Sequence, residues 1–202
     1  VSLNELKARA SPDLALIGTR LQGEVNAGVT AMRGFANILS VAPGEAAQQF
    51  DVFARKLLLQ NGQFRRVSMA PDGVVSDTYP VAGNERHVGT DFNRSPSFQF
   101  AAQTDRSRGR PLMVGPVRLP DGSRSFNLFM PVFAKAHRHH YFWGYIEAAI
   151  DERRLYVDAG LLGSSDENRR QAWQGGEDIR LAIRDVSVAD NVQDPFFGDP
   201  KI

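Results

Sequence analysis

The residues best able to do chemistry cluster at Ala136-His137-Arg138-His139-His140-Tyr141. His137 and His139, two apart on an extended segment, share a face and could take a divalent ion. A metal-dependent enzyme using His137, His139 and His140 is therefore one reading of this stretch. No acidic residue lies inside the run and a third ligand has to come from elsewhere, so a solvated turn is the plainer reading. The sequence holds no G-x-S-x-G elbow, H-E-x-x-H, P-loop or G-x-G-x-x-G. It also holds no cysteine, which excludes disulfides, cysteine-ligated metal centres and a thiol nucleophile. No catalytic residue, no metal and no cofactor is assigned.

A second constellation suits binding rather than catalysis. Gly89-Thr90-Asp91-Phe92, Pro96, Ala101-Ala102 and the strand Arg110 to Pro116 read as a loop and short helix lying over a sheet. Such a cover encloses a half-apolar pocket, the usual shape of a small-molecule site. Phe98, Met113, Phe126, Leu128, Phe129 and Met130 are candidates for its walls. Alternation along the strand puts Phe126, Leu128 and Met130 on one face and Asn127 and Phe129 on the other. Only one set can line a pocket, and the other packs on a helix. The bland alternative is that all of them are ordinary core.

These residues need a scaffold, and the periodicities supply one. Leu14, Ile17, Leu21, Gly28, Ala31, Phe35 and Ile38 step by threes and fours, interrupted only by Glu24, which predicts one long helix over the first forty residues. Ser11-Pro12 suits a helix start, so residues 1–10 are expected to be a separate or kinked piece. The seam either packs on the sheet or pairs with a second copy in parallel. A forty-residue helix is about 60 Å long, more than a small sheet covers, and Gly18, Gly23, Ala27 and Gly28 would allow close approach. Pro43-Gly44 ends it, and a second helix is expected from Glu45 to Gln60.

Strand grammar begins at Phe64. Ala70-Pro71-Asp72-Gly73 joins two strands, and Pro120-Asp121-Gly122 joins two more, 112–119 and 125–133. A fifth runs from Tyr141 to Ile150, and a short helix over Pro96 to Asp105 separates the hairpins. A helix from Asp151 to Leu162 follows, then a polar stretch, a lone strand Asp178 to Asp185, and a tail from Asn191 that closes nothing. The class is α+β. The lone strand must join the sheet or open a second module.

Charge and composition bound the partners. The chain has 202 residues, 24 Lys+Arg against 23 Asp+Glu and a net charge of +1, so it lacks the basic excess of a nucleic-acid footprint. No apolar run approaches the ~18–20 residues that span a bilayer. The start at Val1, inside an apparent helix, reads as a piece cut from a longer protein.

The order of these features resembles the CHASE domain, an extracytoplasmic sensor of histidine kinases, diguanylate cyclases and adenylate cyclases. The resemblance rests on the long helix and hairpin, then Gly89-Thr90-Asp91-Phe92-Asn93-Arg94-Ser95-Pro96, the paired alanines, Met130-Pro131-Val132-Phe133 and Trp143-Gly144-Tyr145-Ile146. It spans roughly residues 14–185. It implies a long N-terminal helix packed on a PAS-like antiparallel sheet, with a partial second PAS-like module. The expected domains are a stalk helix at 1–42, a ligand-binding module at 43–162, and a linker with the second, membrane-proximal module at 163–202.

Carried onto this chain, the resemblance implies a small-molecule site lined by Asp91, Phe98, Met113, Arg118, Asn127, Phe129 and Tyr145, with Asp91 or Arg118 as polar anchor. It further implies a periplasmic portion of an inner-membrane receptor that is a homodimer through the long helix. The output would be a cytoplasmic diguanylate cyclase or histidine kinase, and this portion would not itself be an enzyme. The rival readings are a free periplasmic binding or scaffold protein, the metal-dependent enzyme above, and a stalk with no ligand.

Overall fold

The computed structural model describes residues 3–96, 98, 99, 109–119, 122–136, 139–161, 182, 183, 197 and 198. The first element, α1, runs without a break from Leu3 to Val41. Pro12 does not divide it: a proline removes one backbone bond and kinks a helix, but need not end it. The expected second helix is two pieces, α2 (Pro43–Gln48) and α3 (Phe50–Gln60), parted at Gln49. Pro43 sits in the first turn of α2, where its missing N–H is no loss.

Five antiparallel strands follow: β1 (Phe64–Pro71), β2 (Asp77–Tyr79), β3 (Leu112–Arg118), β4 (Arg124–Ala136) and β5 (His139–Asp151). Their spatial order is β2-β1-β5-β4-β3, so the last strand in sequence becomes the centre of the sheet. β2 is shorter than the turn signal suggested, because Val74 and Val75 leave the ladder to meet the next loop. Val75 N–H donates to Thr90 O at 2.9 Å, and Gly89 N–H donates to Val75 O at 2.8 Å. Pro131 is tolerated because it lies past Leu112↔Phe129, the last β3–β4 pair, where no described strand pairs with that edge of β4.

A short helix, α4 (Glu152–Asp158), leaves the end of β5 and is capped by Asp151, whose side chain accepts from Arg154 N–H. Arg124 grips Glu152 with two bonds, Nε to Oε2 at 2.7 Å and Nη2 to Oε1 at 2.6 Å, tying α4 to the start of β4. Beyond α4, Ala182–Ile183 (β6) and Phe197–Gly198 (β7) pair with each other. Phe197-Gly198 thus partners the strand that had none in sequence, and among the described residues neither pairs with the main sheet.

One sheet face carries the helices. Val67 and Met69 of β1, Phe126, Leu128, Met130 and Val132 of β4, and Ile146, Ala148 and Ile150 of β5 form a buried cluster with Met32, Phe35, Ala36 and Leu39 of α1. The stripe on α1 shifts from the expected one, since Met32 and Leu39 are buried while Ile38 is exposed. A 3.6-residue helix drifts away from a strict heptad, so a stripe read from one end is a residue off by the other.

The glycines of α1 divide by surroundings. A Cβ on Gly28 would lie 2.9 Å from Cζ of the buried Phe64 ring, whereas Gly23 has nothing within 4 Å. Gly28 thus serves contact with the sheet. Gly23→Ala is expected to stabilise the protein by about 1 kcal/mol through helix propensity. Gly28→Val is expected to destabilise it by about 1–3 kcal/mol through overpacking. Chemical denaturation of the two variants against the parent checks both signs.

Candidate functional site

The other sheet face is the candidate site. Strand alternation and the β1–β5–β4 register bring to it Arg66, Ser68 and Ala70 of β1, Tyr145, Glu147 and Ala149 of β5, and Asn127 and Phe129 of β4. β3 adds Leu112 and Val114, the partners of Phe129 and Asn127. Over this face lie residues 85–96, 98 and 99, between β2 and β3, and their sequence explains how they are held.

The turn Ala70-Pro71-Asp72-Gly73 places Asp72 at φ 53° and Gly73 at φ 87°, the left-handed pair that a tight hairpin turn demands. The covering segment is pinned to this turn. Phe92 N–H donates to Gly73 O at 2.9 Å, and Asn93 Nδ2 donates to Asp72 O at 2.8 Å. A Cβ on Gly73 would meet the Asn93 amide at 2.3 Å, so glycine is required there for space as well as for φ. Asp91 Oδ1 accepts from Asn93 N–H at 3.0 Å and caps the short 3-10 turn Phe92–Arg94. Ser95 and Pro96 open the next helical turn, where Gln99 N–H donates to Ser95 O at 2.9 Å. The Gln99 side-chain amide also bonds Asn93 O.

Pinned in this way, the cover drives two phenylalanines into the face. Phe98 packs edge-on against Phe129 and Tyr145, with ring centroids at 4.7 and 5.1 Å. Phe92 meets Phe129 edge-on at 4.8 Å, and Phe142 meets Tyr145 at 5.0 Å. With Ala70, Val75 and Leu112 these rings form a second, smaller core. Asn93→Ala is expected to cost about 1 kcal/mol, the net worth of the lost bond. The amides of Gly89 and Phe92 should then exchange faster than the parent's, as read by hydrogen exchange.

The rest of the face is polar. Glu147 is fully buried, opposite Ser68 on β1 and Phe129 on β4. Arg66 Nη2 donates to Glu147 Oε1 at 2.8 Å, and His87 Nε2 lies 3.5 Å from Oε2. His87 comes from the cover, at the end of the 3-10 turn Glu85–His87, and its ring sits 5.9 Å from Phe92. Burial pushes the Glu147 carboxyl up, but the Arg66 charge and then His87 outweigh it and hold it down to about 2. Ser68 Oγ and Thr78 Oγ1 share a hydrogen bond at 3.2 Å.

Of the residues expected from the sequence, the structure brings together Phe98, Phe129 and Tyr145. Asn127 shares their face, half-buried, with Ser125 Oγ donating to its Oδ1 at 3.5 Å. Asp91 serves the cover as a cap and borders the face rather than pointing a free carboxylate into it. Met113 and Arg118 lie elsewhere: Met113 pairs with helix-facing Leu128, Arg118 pairs with Arg124, and both are exposed. The ladder is interrupted between Val114 and Val117, so alternation read along β3 loses its phase there. Sequence reasoning missed Arg66, His87 and Glu147. The available signal was Glu147 itself, a single acid inside the apolar run Tyr141 to Ile150.

The histidine cluster gains no support as a metal centre. His139 and His140 are consecutive on β5, so they point to opposite faces, and both are exposed. His137 lies outside the described residues. Among the described residues no group of three or more His, Cys, Asp or Glu is placed to hold a metal ion.

A family model for the CHASE domain matches residues 24–193. The chain belongs to the CHASE domain family. No curated protein sequence matches this CHASE domain. Among solved structures, it is similar to an extracellular ligand binding receptor from Desulfohalobium retbaense DSM5692, with a TM-score of 0.55 and 14% identity. That match covers 71% of this chain but only 26% of the receptor. It is also similar to the ligand-binding domain of the Pseudomonas aeruginosa PAO1 amino acid chemoreceptor PctC, in complex with GABA. There the TM-score is 0.52, the identity 13%, and the coverage 80% of this chain and 81% of that one. The sensor domain of the V. cholerae histidine kinase DctB matches with a TM-score of 0.52 and 14% identity, over 96% of this chain and 68% of that one. The CHASE domain thus has the Cache/PAS-like fold of histidine-kinase and chemoreceptor sensor domains. No helix among its described residues is long and apolar enough to cross a membrane.

Proposed function

We propose that this CHASE domain is the extracytoplasmic, small-molecule-sensing part of a transmembrane receptor, whose output is a cytoplasmic diguanylate cyclase or histidine kinase. The observation that carries the reading is the two-faced sheet. One face is consumed by α1, and the other holds an aromatic cluster and a buried ionic cluster under a segment pinned at the hairpin turn. That covered face is the ligand site, with Phe98, Phe129, Tyr145 and Asn127 among its lining residues. Residues 1–42 act as the stalk, 43–162 as the sensing module, and 163–202 as a linker with part of a second module. The chemoreceptor that shares the fold is held in complex with GABA, which supports a small organic ligand here.

Two copies pair through α1. Its exposed Leu16, Ile38 and Val41 lie outside the sheet-facing stripe and are available to a partner helix. A thermal-shift screen against a broad panel of metabolites tests the sensor reading. At least one compound should raise the melting temperature, and Phe129→Ala should abolish that rise. A panel with no binder counts against a ligand. The pairing has its own test, because the parent has no cysteine. Leu16→Cys should give disulfide-linked dimers under mild oxidation, and a protein that stays monomeric overturns the paired helix.

A further inference from the structure

The aromatic half of the covered face is closed by ring contacts, but the polar half is unsatisfied. Glu147 Oε1 is bonded to Arg66, while Oε2, fully buried, has no hydrogen-bond partner. Arg66 Nε and His87 Nε2, also buried, have none either, and His87 Nε2 stops 3.5 Å short of Oε2. Buried polar atoms without partners are rare in folded proteins, and three around one carboxylate call for a cause. Their valences are complementary. Oε2 of an ionised carboxylate wants a donor, Arg66 Nε–H wants an acceptor, and His87 Nε2 can serve either role.

Resting on the sensor reading above, we propose that Glu147, Arg66 and His87 are the polar subsite of the ligand pocket. The ligand they fit is a small net-neutral molecule carrying an N–H donor beside an oxygen acceptor, the chemistry of zwitterionic amino acids and primary amides. The N–H goes to Glu147 Oε2 and the oxygen to Arg66 Nε–H. Net neutrality follows from the charges already present, since Arg66 balances Glu147 at 2.8 Å. A dicarboxylate would bring its second charge against Glu147, and a diamine would bring its own against Arg66, each in a site screened from water. Room beside the two charges is left by the floor, where the side chains next to Arg66 and Glu147 are Ser68 and Ala149. Phe129, opposite Glu147 on β4, offers the apolar part of the ligand a ring edge.

Isothermal titration calorimetry of the domain at neutral pH decides it. The probes are the L-amino acids with uncharged side chains and propionamide, set against succinate and putrescine. At least one net-neutral probe should bind, and succinate and putrescine should not. Glu147→Gln and Arg66→Lys should each weaken that binding about tenfold or more, the worth of one hydrogen bond to a charged group. Arg66→Lys keeps the positive charge that balances Glu147 while removing the guanidinium fork, Nε–H included, so it decides the matter if Glu147→Gln does not fold. Binding of succinate or putrescine in place of the neutral probes overturns the ligand class and leaves the sensor reading standing. A neutral probe that binds both variants as tightly as the parent overturns the subsite. If no probe binds, the class is wrong, while the metabolite screen still judges the sensor reading on its own.

Discussion

A Gly144→Ala variant of this CHASE domain is expected to yield no soluble protein, or to lose about 4 kcal/mol or more of stability. Gly144 lies in the central strand, opposite Pro71 of β1 on one side and Val132 of β4 on the other. Its φ is +150°, which L side chains rarely adopt, and a Cβ there would stand 2.2 Å from Ala70 O and 2.8 Å from Pro71 Cα. Both atoms are backbone, so no rotamer change relieves the contact. β1 and β5 would have to part at the point where Asp72 N–H donates to Trp143 O at 2.9 Å, closing the hairpin turn onto the sheet. Parting there also loosens the anchor of the covering segment, which hangs from the same turn. Gly34→Ala is the control, because nothing lies within 4 Å of that α1 position and helix propensity should stabilise it by about 1 kcal/mol. Circular dichroism and thermal melting of both variants read the contrast. A Gly144→Ala protein that melts with the parent would mean the two strands are not in such close contact.

Trp143-Gly144 was legible in the sequence as part of a family pattern, but its physical reason lies in the register. The same division runs through the whole molecule. Hairpin signals at Pro71-Asp72-Gly73 and the alternation of Phe126, Leu128 and Met130 against Asn127 and Phe129 are local, and they sort the faces of β4 as the structure does. The ionic cluster is not local. Arg66 comes from β1, His87 from the cover and Glu147 from β5, and only the β1–β5 pairing sets Ser68 opposite Glu147 and so draws Arg66 to it. No spacing in the chain encodes that meeting. Met113 lies on the helix-facing side with its partner Leu128, and the irregularity between Val114 and Val117 resets the alternation beyond it, so that Arg118 falls opposite Arg124.

The proposed signalling route is short because β4 and β5 serve both faces. On β5, Glu147 and Tyr145 face the site while Ile146 and Ala148 pack toward α1; on β4, Phe129 faces the site while Leu128 and Met130 do not. Close-packed interiors move by switching between discrete packings rather than by bending smoothly. On the proposed reading, a ligand that repositions Glu147 or Phe129 would shift the surface on which Met32, Phe35 and Leu39 rest, and α1 would carry the shift to the proposed partner helix.

Arg66→Met is expected to cost about 3–5 kcal/mol at neutral pH, because it strands a fully buried carboxylate. His87 remains at 3.5 Å, too distant for a well-formed bond, so it cannot replace the lost partner. The pH dependence separates this cause from simple loss of packing. In the parent, burial alone would raise the Glu147 carboxyl, yet the Arg66 charge and His87 hold it down to about 2 from an ordinary 4.5. A depressed carboxyl binds fewer protons folded than unfolded, so its contribution is present above about pH 4.5 and is lost as pH falls toward 2. Over that window it amounts to about 3 kcal/mol. In Arg66→Met only burial and the distant His87 remain, so protonation relieves the variant as the parent is weakened. The stability gap between the two should therefore be widest near pH 7 and close as the pH falls from about 5 to 2. Guanidinium titrations at a series of pH values measure the gap directly, and subtracting the curves cancels the other titrating groups common to both proteins. A gap that stays constant with pH would mean Arg66 contributes through its hydrocarbon stem alone and that the Glu147 charge is not what it holds.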